Sequence, residues 1–118
     1  TPYHRTVIEL HQYADKDHSG TQTDCASPAT LTSYLQKVSD WAVQHHQRLF
    51  LGEFGVASSQ NCLDGLQQMA IQLQHPAWKG WTYWAAGEWW KNYAFSIQPD
   101  AAHPIKPQLQ VLKPFFAH

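Results

Sequence analysis

The chain has 118 residues, which is enough for one hydrophobic core but too few for two domains. Its 8 Lys and Arg residues and 9 Asp and Glu residues give a net charge of −1 without any block of like charge, so neither a nucleic-acid partner nor a basic membrane-binding face is indicated. No apolar run approaches the roughly 20 residues that a membrane-spanning helix needs, so no membrane partner is expected.

Short apolar segments predict three β-strands. They are residues 6–10, 49–54 and 80–84. The second of them is almost continuously apolar up to Glu53, which is typical of a parallel strand that is covered on both faces. Segment 93–97 has an alternating pattern and could pair in a small hairpin or form a return strand.

Capping signals and helical spacing predict three helices between and after these strands. Ser27 and Pro28 open the first, Asn61 can cap the second, which Pro76 ends, and residues 107–113 form a short last helix. Strands that alternate with helices in this way imply parallel βαβ units with right-handed crossovers. The predicted fold class is therefore α/β.

The long polar segment 14–26 follows the first strand, and long loops in compact domains are usually functional. Its portion 15–20 resembles the start of an EF-hand loop, but Ala26 stands where that motif requires Glu, so calcium is not expected. His45 and His46 are adjacent, so on a helix they face different directions and are not placed to bind one metal ion. A zinc-binding HExxH motif is absent from the sequence. The sequence therefore predicts no metal site and no cofactor.

Reactive or aromatic residues stand at the ends of all three predicted strands. His11 and Tyr13 follow the first, Glu53 ends the second and Trp84 ends the third. In parallel α/β folds, ligands bind at the carboxyl ends of the strands, so we expect a functional site at this edge. A His-x-Tyr pair could orient a carboxylate or bond a sugar hydroxyl, although either residue can also be structural.

Glu53 is the sharpest candidate for chemistry. The flanking residues Gly52 and Gly55 are expected to leave room for a substrate beside its carboxylate. Burying an unpaired charge is costly, so a Glu in this position favours a functional role over a structural carboxylate bonded to a neighbouring loop.

The aromatic residues around Trp84 are candidates for sugar binding. Trp84 precedes the small residues 85–87, which favours a stacking platform over a core side chain. Glu88, Trp89 and Trp90 follow in a loop and are further candidate substrate contacts, although one Trp could be buried and the other exposed.

The chain contains two cysteines, Cys25 and Cys62. They could form a disulfide in an oxidising compartment or be two unrelated buried thiols.

Several of these segments together resemble the glycoside hydrolase family 5 cellulases, which are endo-β-1,4-glucanases. Residues 8–13 with 17–21 are similar to the sixth barrel strand of that family and its following loop. Residues 51–55 resemble the seventh strand, which carries the nucleophilic Glu, and residues 80–87 resemble the eighth, whose Trp stacks under the sugar. The resemblance implies a partial (β/α)8 barrel of about three βα units, with residues 1–118 forming the C-terminal portion of a catalytic domain.

The resemblance also implies roles for individual residues. Glu53 would be the nucleophile of a retaining double-displacement reaction, Tyr13 would contact it, His11 would belong to the active site and Trp84 would be the sugar platform. A disulfide between the two cysteines and secretion of the protein are implied as well, and the substrate would be a β-glucan polysaccharide or oligosaccharide.

The sequence departs from the family in one large respect. The acid/base Glu of the family follows an Asn at the end of the fourth strand, and no Asn-Glu dipeptide occurs here. Three strand-helix units also cannot close a barrel, so the expected partner is the N-terminal part of the barrel or further copies of the chain, and the isolated chain is expected to be inactive. The alternatives are a noncatalytic glucan-binding fragment that uses its Trp residues, or a related enzyme acting on mannan or xylan.

Overall fold

Three parallel strands form the sheet of the computed structural model, which describes residues 5–116. In chain order the strands are β1 (Ile8–His11), β2 (Leu49–Phe54) and β3 (Trp78–Tyr83), and β2 lies between the other two. The predicted parallel α/β arrangement is therefore confirmed. β2 has the predicted bounds, whereas β1 begins two residues later and ends one residue later than predicted. β3 begins two residues early, because Trp78 already pairs with Leu49, and ends one residue early.

The helices lie close to their predicted positions. They are α1 (Pro28–Gln44), α2 (Gln60–Gln72) and α3 (Pro107–Leu112), the last continuing into a 3-10 turn, Lys113–Phe115. The Ser27 hydroxyl accepts a hydrogen bond from the backbone N–H of Thr30, which satisfies one of the free donors at the start of α1.

The predicted cap of α2 was wrong. Ser59, not Asn61, is the capping residue, and its hydroxyl accepts from the backbone N–H of Cys62. The Asn61 side chain instead donates to the backbone carbonyl of Cys25, 3.2 Å away. The helix therefore begins at Gln60, before the predicted capping residue, and the Asn61 amide is engaged by the loop that carries Cys25.

The core lies between the sheet and the two long helices. Its largest fully buried apolar side chains are Phe54, Phe95, Leu31, Leu35, Leu49, Leu51, Leu66, Met69 and Leu112. Burial of one such side chain stabilises the fold by about 1.5–3 kcal/mol. The indole N–H of Trp78 donates to the Ser39 hydroxyl at 2.8 Å, and that hydroxyl donates to the Leu35 carbonyl at 2.9 Å, so these buried polar groups are satisfied.

Segment 93–97 forms turns rather than the hairpin or return strand that its alternation suggested. The N–H of Ser96 bonds the carbonyl of Tyr93, which closes a turn, and the Phe95 carbonyl accepts the hydroxyl proton of Tyr83 at 2.7 Å. The Phe95 carbonyl is thus bonded by a side chain, and no strand ladder forms along this segment. The buried Phe95 ring then fills the core below the carboxyl ends of the strands.

The outer edge of β1 is uncovered in the described part of the chain. Val7 and Ile8 are exposed there, and Trp41 on α1 lies on the adjoining apolar surface. Three strands thus leave an apolar face where a closed barrel would continue. No helix within residues 5–116 is long and apolar enough to cross a membrane.

Candidate active site

A shift in strand register places Glu53 beside His11. Leu10 of β1 lies opposite Leu51 of β2, but the next residue, His11, lies opposite Glu53, so Gly52 is passed over. The carboxyl ends of β1 and β2 therefore present these two side chains to each other.

Both carboxylate oxygens of Glu53 have a polar partner. The Tyr13 hydroxyl donates a hydrogen bond to Oε1, and Nδ1 of His11 lies 3.2 Å from Oε2. The Glu53 side chain is 27% exposed, so its carboxylate is oriented by the protein and still reachable from outside. The structure thus brings together three of the residues that the sequence singled out.

The Tyr13 ring packs closely against Gly20 of the loop that follows β1. Gly20 has a φ of 76°, and a Cβ atom at this position would lie 2.8 Å from the Tyr13 ring, so the close approach requires glycine. The Tyr93 hydroxyl fixes Gly20 in turn by donating to its carbonyl at 2.8 Å. Burial first, and then the hydrogen bond to Glu53, raise the pKa of Tyr13 well above its ordinary value, so its hydroxyl keeps the donated proton.

The loop between β1 and α1 is organised by the buried carboxylate of Asp15. This side chain, in a residue that is 1% exposed, accepts hydrogen bonds from the backbone N–H groups of Gly20, Thr21 and Gln22 at 3.0–3.1 Å and from the Ser19 hydroxyl at 3.1 Å. Burial alone would raise the pKa of Asp15, but these hydrogen bonds outweigh it and lower the pKa below its ordinary value. In the segment that resembles an EF-hand, the first carboxylate, Asp15, therefore hydrogen-bonds the backbone of its own loop.

A disulfide joins the end of this loop to α2. Cys25 and Cys62 are bonded with an S–S distance of 2.06 Å, so the implied pairing is present. The bond closes the segment that leads from the β1 loop through α1 and β2. Within residues 5–116, no group of three or more His, Cys, Asp or Glu side chains is arranged to hold a metal ion.

Trp84 follows β3 and is partly exposed at the same edge of the sheet. Its backbone N–H donates to the carbonyl of Phe54 at 2.8 Å, and the peptide bond to Ala85 is cis. A Cβ atom on Gly55 would lie 2.3 Å from the Trp84 carbonyl oxygen, so a side chain at Gly55 would displace the Trp84 backbone.

The two glycines beside Glu53 do not leave open room for a substrate, and that interpretation of the sequence was wrong. The space above Gly55 is filled by the Trp84 backbone, and the space above Gly52 is filled by the Glu9 carboxylate. Both glycines instead allow a neighbouring group to approach β2 closely.

Glu88, Trp89 and Trp90 form a 3-10 turn after Trp84. The Trp90 ring packs against the rings of Trp84 and Tyr93, each 5.2 Å away between centroids. Trp89 is 86% exposed and Glu88 is exposed, and within residues 5–116 neither bonds to the cluster around Glu53. One Trp of the pair is therefore packed and the other projects into solvent.

Sequence reasoning missed Glu9. Its Oε1 lies 2.7 Å from Nε2 of His11, on the opposite side of the ring from Glu53. The signal was present, because Glu9, His11 and Tyr13 are spaced two residues apart and alternate residues of a strand share a face.

Comparisons with known proteins show the family of this chain. The family model described as cellulase (glycosyl hydrolase family 5) matches residues 1–88. Endo-beta-1,4-glucanase A of Emericella nidulans is 32% identical over 117 residues, which amount to 98% of this chain and 36% of the relative.

Solved structures give the same result. The endo-beta-1,4-glucanase of Xanthomonas axonopodis pv. citri is 38% identical with a TM-score of 0.86, over 92% of this chain and 35% of that one. XacCel5A, solved in complex with cellopentaose, is 39% identical with a TM-score of 0.85, over 92% of this chain and 36% of the other. These similarities confirm the predicted partial (β/α)8 barrel, and the chain spans about a third of the length of the relatives it matches.

Proposed function

Since the chain belongs to glycosyl hydrolase family 5, the cellulase family, we propose that it forms the C-terminal part of the catalytic barrel of an endo-β-1,4-glucanase. In this proposal residues 1–118 are a single portion of one domain and supply the nucleophile, while the remaining strands come from the N-terminal part of the barrel. Association with copies of the same chain is the other way to cover the open edge of β1.

The observation that carries the proposal is the setting of Glu53. Its carboxylate stands at the carboxyl end of a central parallel strand, is partly exposed and has Tyr13 and His11 on its two oxygens. A carboxylate that is oriented but not enclosed suits attack on a substrate. A purely structural carboxylate would instead be expected to resemble Asp15, which is buried and bonded to its own loop.

The proposed reaction is a double displacement at the anomeric carbon. Glu53 attacks this carbon and forms a glycosyl ester, while a second carboxylic acid gives its proton to the departing sugar oxygen. The second carboxylate then takes a proton from water, which attacks the same carbon and releases Glu53. Throughout, the hydroxyl of Tyr13 remains a donor to Glu53 because its pKa is raised well above its ordinary value by burial and by that bond.

The second carboxyl group is proposed to come from outside this sequence. Retaining enzymes place the two groups about 5–5.5 Å apart. Asp15 is committed to its loop, Glu9 lies across the His11 ring from Glu53, and Glu88 is exposed on the turn after β3. None of these carboxylates is placed to protonate a leaving group opposite Glu53.

Trp84 is proposed as the platform on which a sugar ring stacks, and its ring is in edge-to-face contact with Trp90. Trp89 and Glu88 would contact glucan further along the chain of sugars. Secretion is also part of the proposal, because a disulfide such as Cys25–Cys62 persists in oxidising compartments.

A test requires a complete barrel. We would join this chain to the N-terminal part of the Xanthomonas endoglucanase, in place of the segment of that enzyme that it matches, and call the product the barrel chimera. Glu53→Gln should lower hydrolysis of a soluble β-1,4-glucan at least ~10³-fold, whereas Asp40→Asn, a control that removes an exposed carboxylate on α1, should retain activity. Equal loss of hydrolysis in the two variants, or full hydrolysis in both, would contradict the assignment of Glu53. Parallel assays on mannan and xylan distinguish the glucanase from a related enzyme.

The exposure of Trp89 favours one second function, a noncatalytic glucan-binding role for the isolated chain. In this role Trp84, Trp89 and Trp90 bind glucan, and Glu53 takes no part. Retention of the isolated chain in a glucan-containing gel, unchanged by Glu53→Gln, would support this role, and migration equal to that in a gel without glucan would exclude it.

A further inference from the structure

We infer that Glu9 is a positioning residue, which holds the ring of His11 by its Nε2 atom and thereby turns Nδ1 toward Glu53. The inference rests on the proposed role of Glu53, but the geometry behind it belongs to three side chains of this chain alone. None of the roles assigned from the sequence includes Glu9.

The two contacts of the imidazole are unequal. Nε2 of His11 lies 2.7 Å from Oε1 of Glu9, which is the length of a charge-assisted hydrogen bond, whereas Nδ1 lies 3.2 Å from Oε2 of Glu53. A neutral imidazole has a single N–H, and the shorter contact assigns it to Nε2 as donor to Glu9. When the ring carries both protons, Nδ1 also donates to Glu53 and the imidazole bridges the two carboxylates.

The carboxylate of Glu9 occupies a slot that the chain keeps open. A Cβ atom on Gly52 would lie 1.8 Å from Oε1 of Glu9 and 2.6 Å from its Cδ, so any other residue at Gly52 forces this carboxylate away. The register shift between Leu10 and His11 passes over this same glycine. One position in β2 thus both sets Glu53 opposite His11 and leaves space for the group that holds His11.

A carboxylate that hydrogen-bonds one nitrogen of a histidine fixes the tautomer and orientation of the ring, and hence what its other nitrogen presents. The Glu9 side chain is 57% exposed and contributes little buried surface, so its removal should leave the fold intact. The two roles, structural and positioning, can therefore be separated by experiment.

The first experiment measures the ¹⁵N chemical shifts of the His11 ring in the 118-residue chain by NMR. At a pH where the ring is neutral, we expect the Nε2–H tautomer in the wild type and a shift toward the Nδ1–H tautomer in Glu9→Ala, because Glu53 is then the carboxylate that remains to accept from the ring. Glu9→Gln, whose amide oxygen can still accept, should recover the wild-type signals. Gly52→Ala should reproduce the signals of Glu9→Ala without altering any charge. Ring signals that stay unchanged in both Glu9→Ala and Gly52→Ala would overturn the inference.

The second experiment measures kinetics in the barrel chimera. Glu9→Ala should lower kcat about tenfold with KM within about twofold, as expected for loss of a group that acts on the catalytic step rather than on substrate binding. Unchanged kcat would overturn the inference even if Glu53→Gln is inactive. Conversely, activity in Glu53→Gln together with the expected NMR signals would remove the proposed nucleophile and leave the Glu9–His11 pairing standing, so the two failures are distinguishable.

Discussion

The hydroxyl group of Tyr13 donates a hydrogen bond to Oε1 of Glu53, although 40 positions separate the two residues in the sequence. Neighbouring parallel strands make the contact possible, because both residues lie near the carboxyl ends of β1 and β2. The bond links the loop after β1 to the proposed catalytic carboxylate. A Tyr-to-Phe substitution would remove this bond and keep the aromatic ring.

Replacement of Tyr13 by Phe should lower kcat of the barrel chimera by roughly 10²-fold, because a preorganised donor to a catalytic group is lost while the ring is kept. KM should change little. Steady-state kinetics on a soluble β-1,4-glucan would check this, with Tyr34→Phe on α1 as the control. Equal kcat values in the two variants would show that the hydroxyl does not assist the reaction.

Asp15→Asn should destabilise the chain at neutral pH by about 1–3 kcal/mol, because hydrogen bonds to a charged acceptor are weakened in the buried loop. The pKa of Asp15 is lowered in the folded protein, so its contribution is present above the ordinary pKa of about 4 and is lost as the pH falls toward the folded-state value. Urea unfolding at pH 7 and pH 3 should therefore show a difference between variant and wild type that shrinks in acid. The exposed Asp40→Asn on α1 is the control, and a difference that grows in acid would contradict the assignment.

Removal of the disulfide by Cys25→Ser with Cys62→Ser should lower the free energy of unfolding by about 2–4 kcal/mol, since the bond restrains a long segment of the unfolded chain. The two cysteines are 37 positions apart. Urea titrations would compare the double variant with the wild type in the presence and absence of a reductant. Wild type that unfolds at the same urea concentration with and without reductant would show that the bond adds no stability.

Trp89→Ala should weaken binding to long glucans. The effect on stability should be small, because this side chain is 86% exposed and contributes little buried surface. Stacking of one aromatic ring on a sugar is expected to change affinity several-fold, or about 1 kcal/mol. Affinity electrophoresis in a glucan gel measures the change. Trp41→Ala is the matched control, since Trp41 is also an exposed Trp, at 44%, but lies on α1. Equal losses in both variants would indicate non-specific adhesion.

Much of the fold follows from local patterns. The continuous apolar run of β2 predicted its bounds because a strand covered on both faces must be apolar at every position. Ser27 and Pro28 likewise predicted the start of α1 through their own backbone preferences. The residues at strand ends pointed to the site for a similar reason, since parallel strands bring their carboxyl ends to one edge.

The remaining features depend on partners that are distant in the sequence. Segment 93–97 alternates like a strand, but Tyr83 satisfies the carbonyl of Phe95 and a turn forms instead. The role of Gly52 could not be read from β2 alone, because the group that fills its space is Glu9 on β1. The register shift that brings Glu53 opposite His11 is a property of two strands together, so neither strand predicts it by itself.

The positions in the sequence of Glu53 and the residues around it also affect the exchange of gene segments between related barrels. Glu9, His11, Tyr13 and Glu53 all lie in the continuous stretch from β1 to β2, so a single exchanged gene segment transfers the proposed nucleophile together with its hydrogen-bonding partners. Crossovers before β1 or after β2 keep these contacts intact, whereas a crossover within α1 would mix a Tyr13 from one parent with a Glu53 from the other. Libraries of shuffled barrels should therefore be richest in active members when their junctions avoid α1.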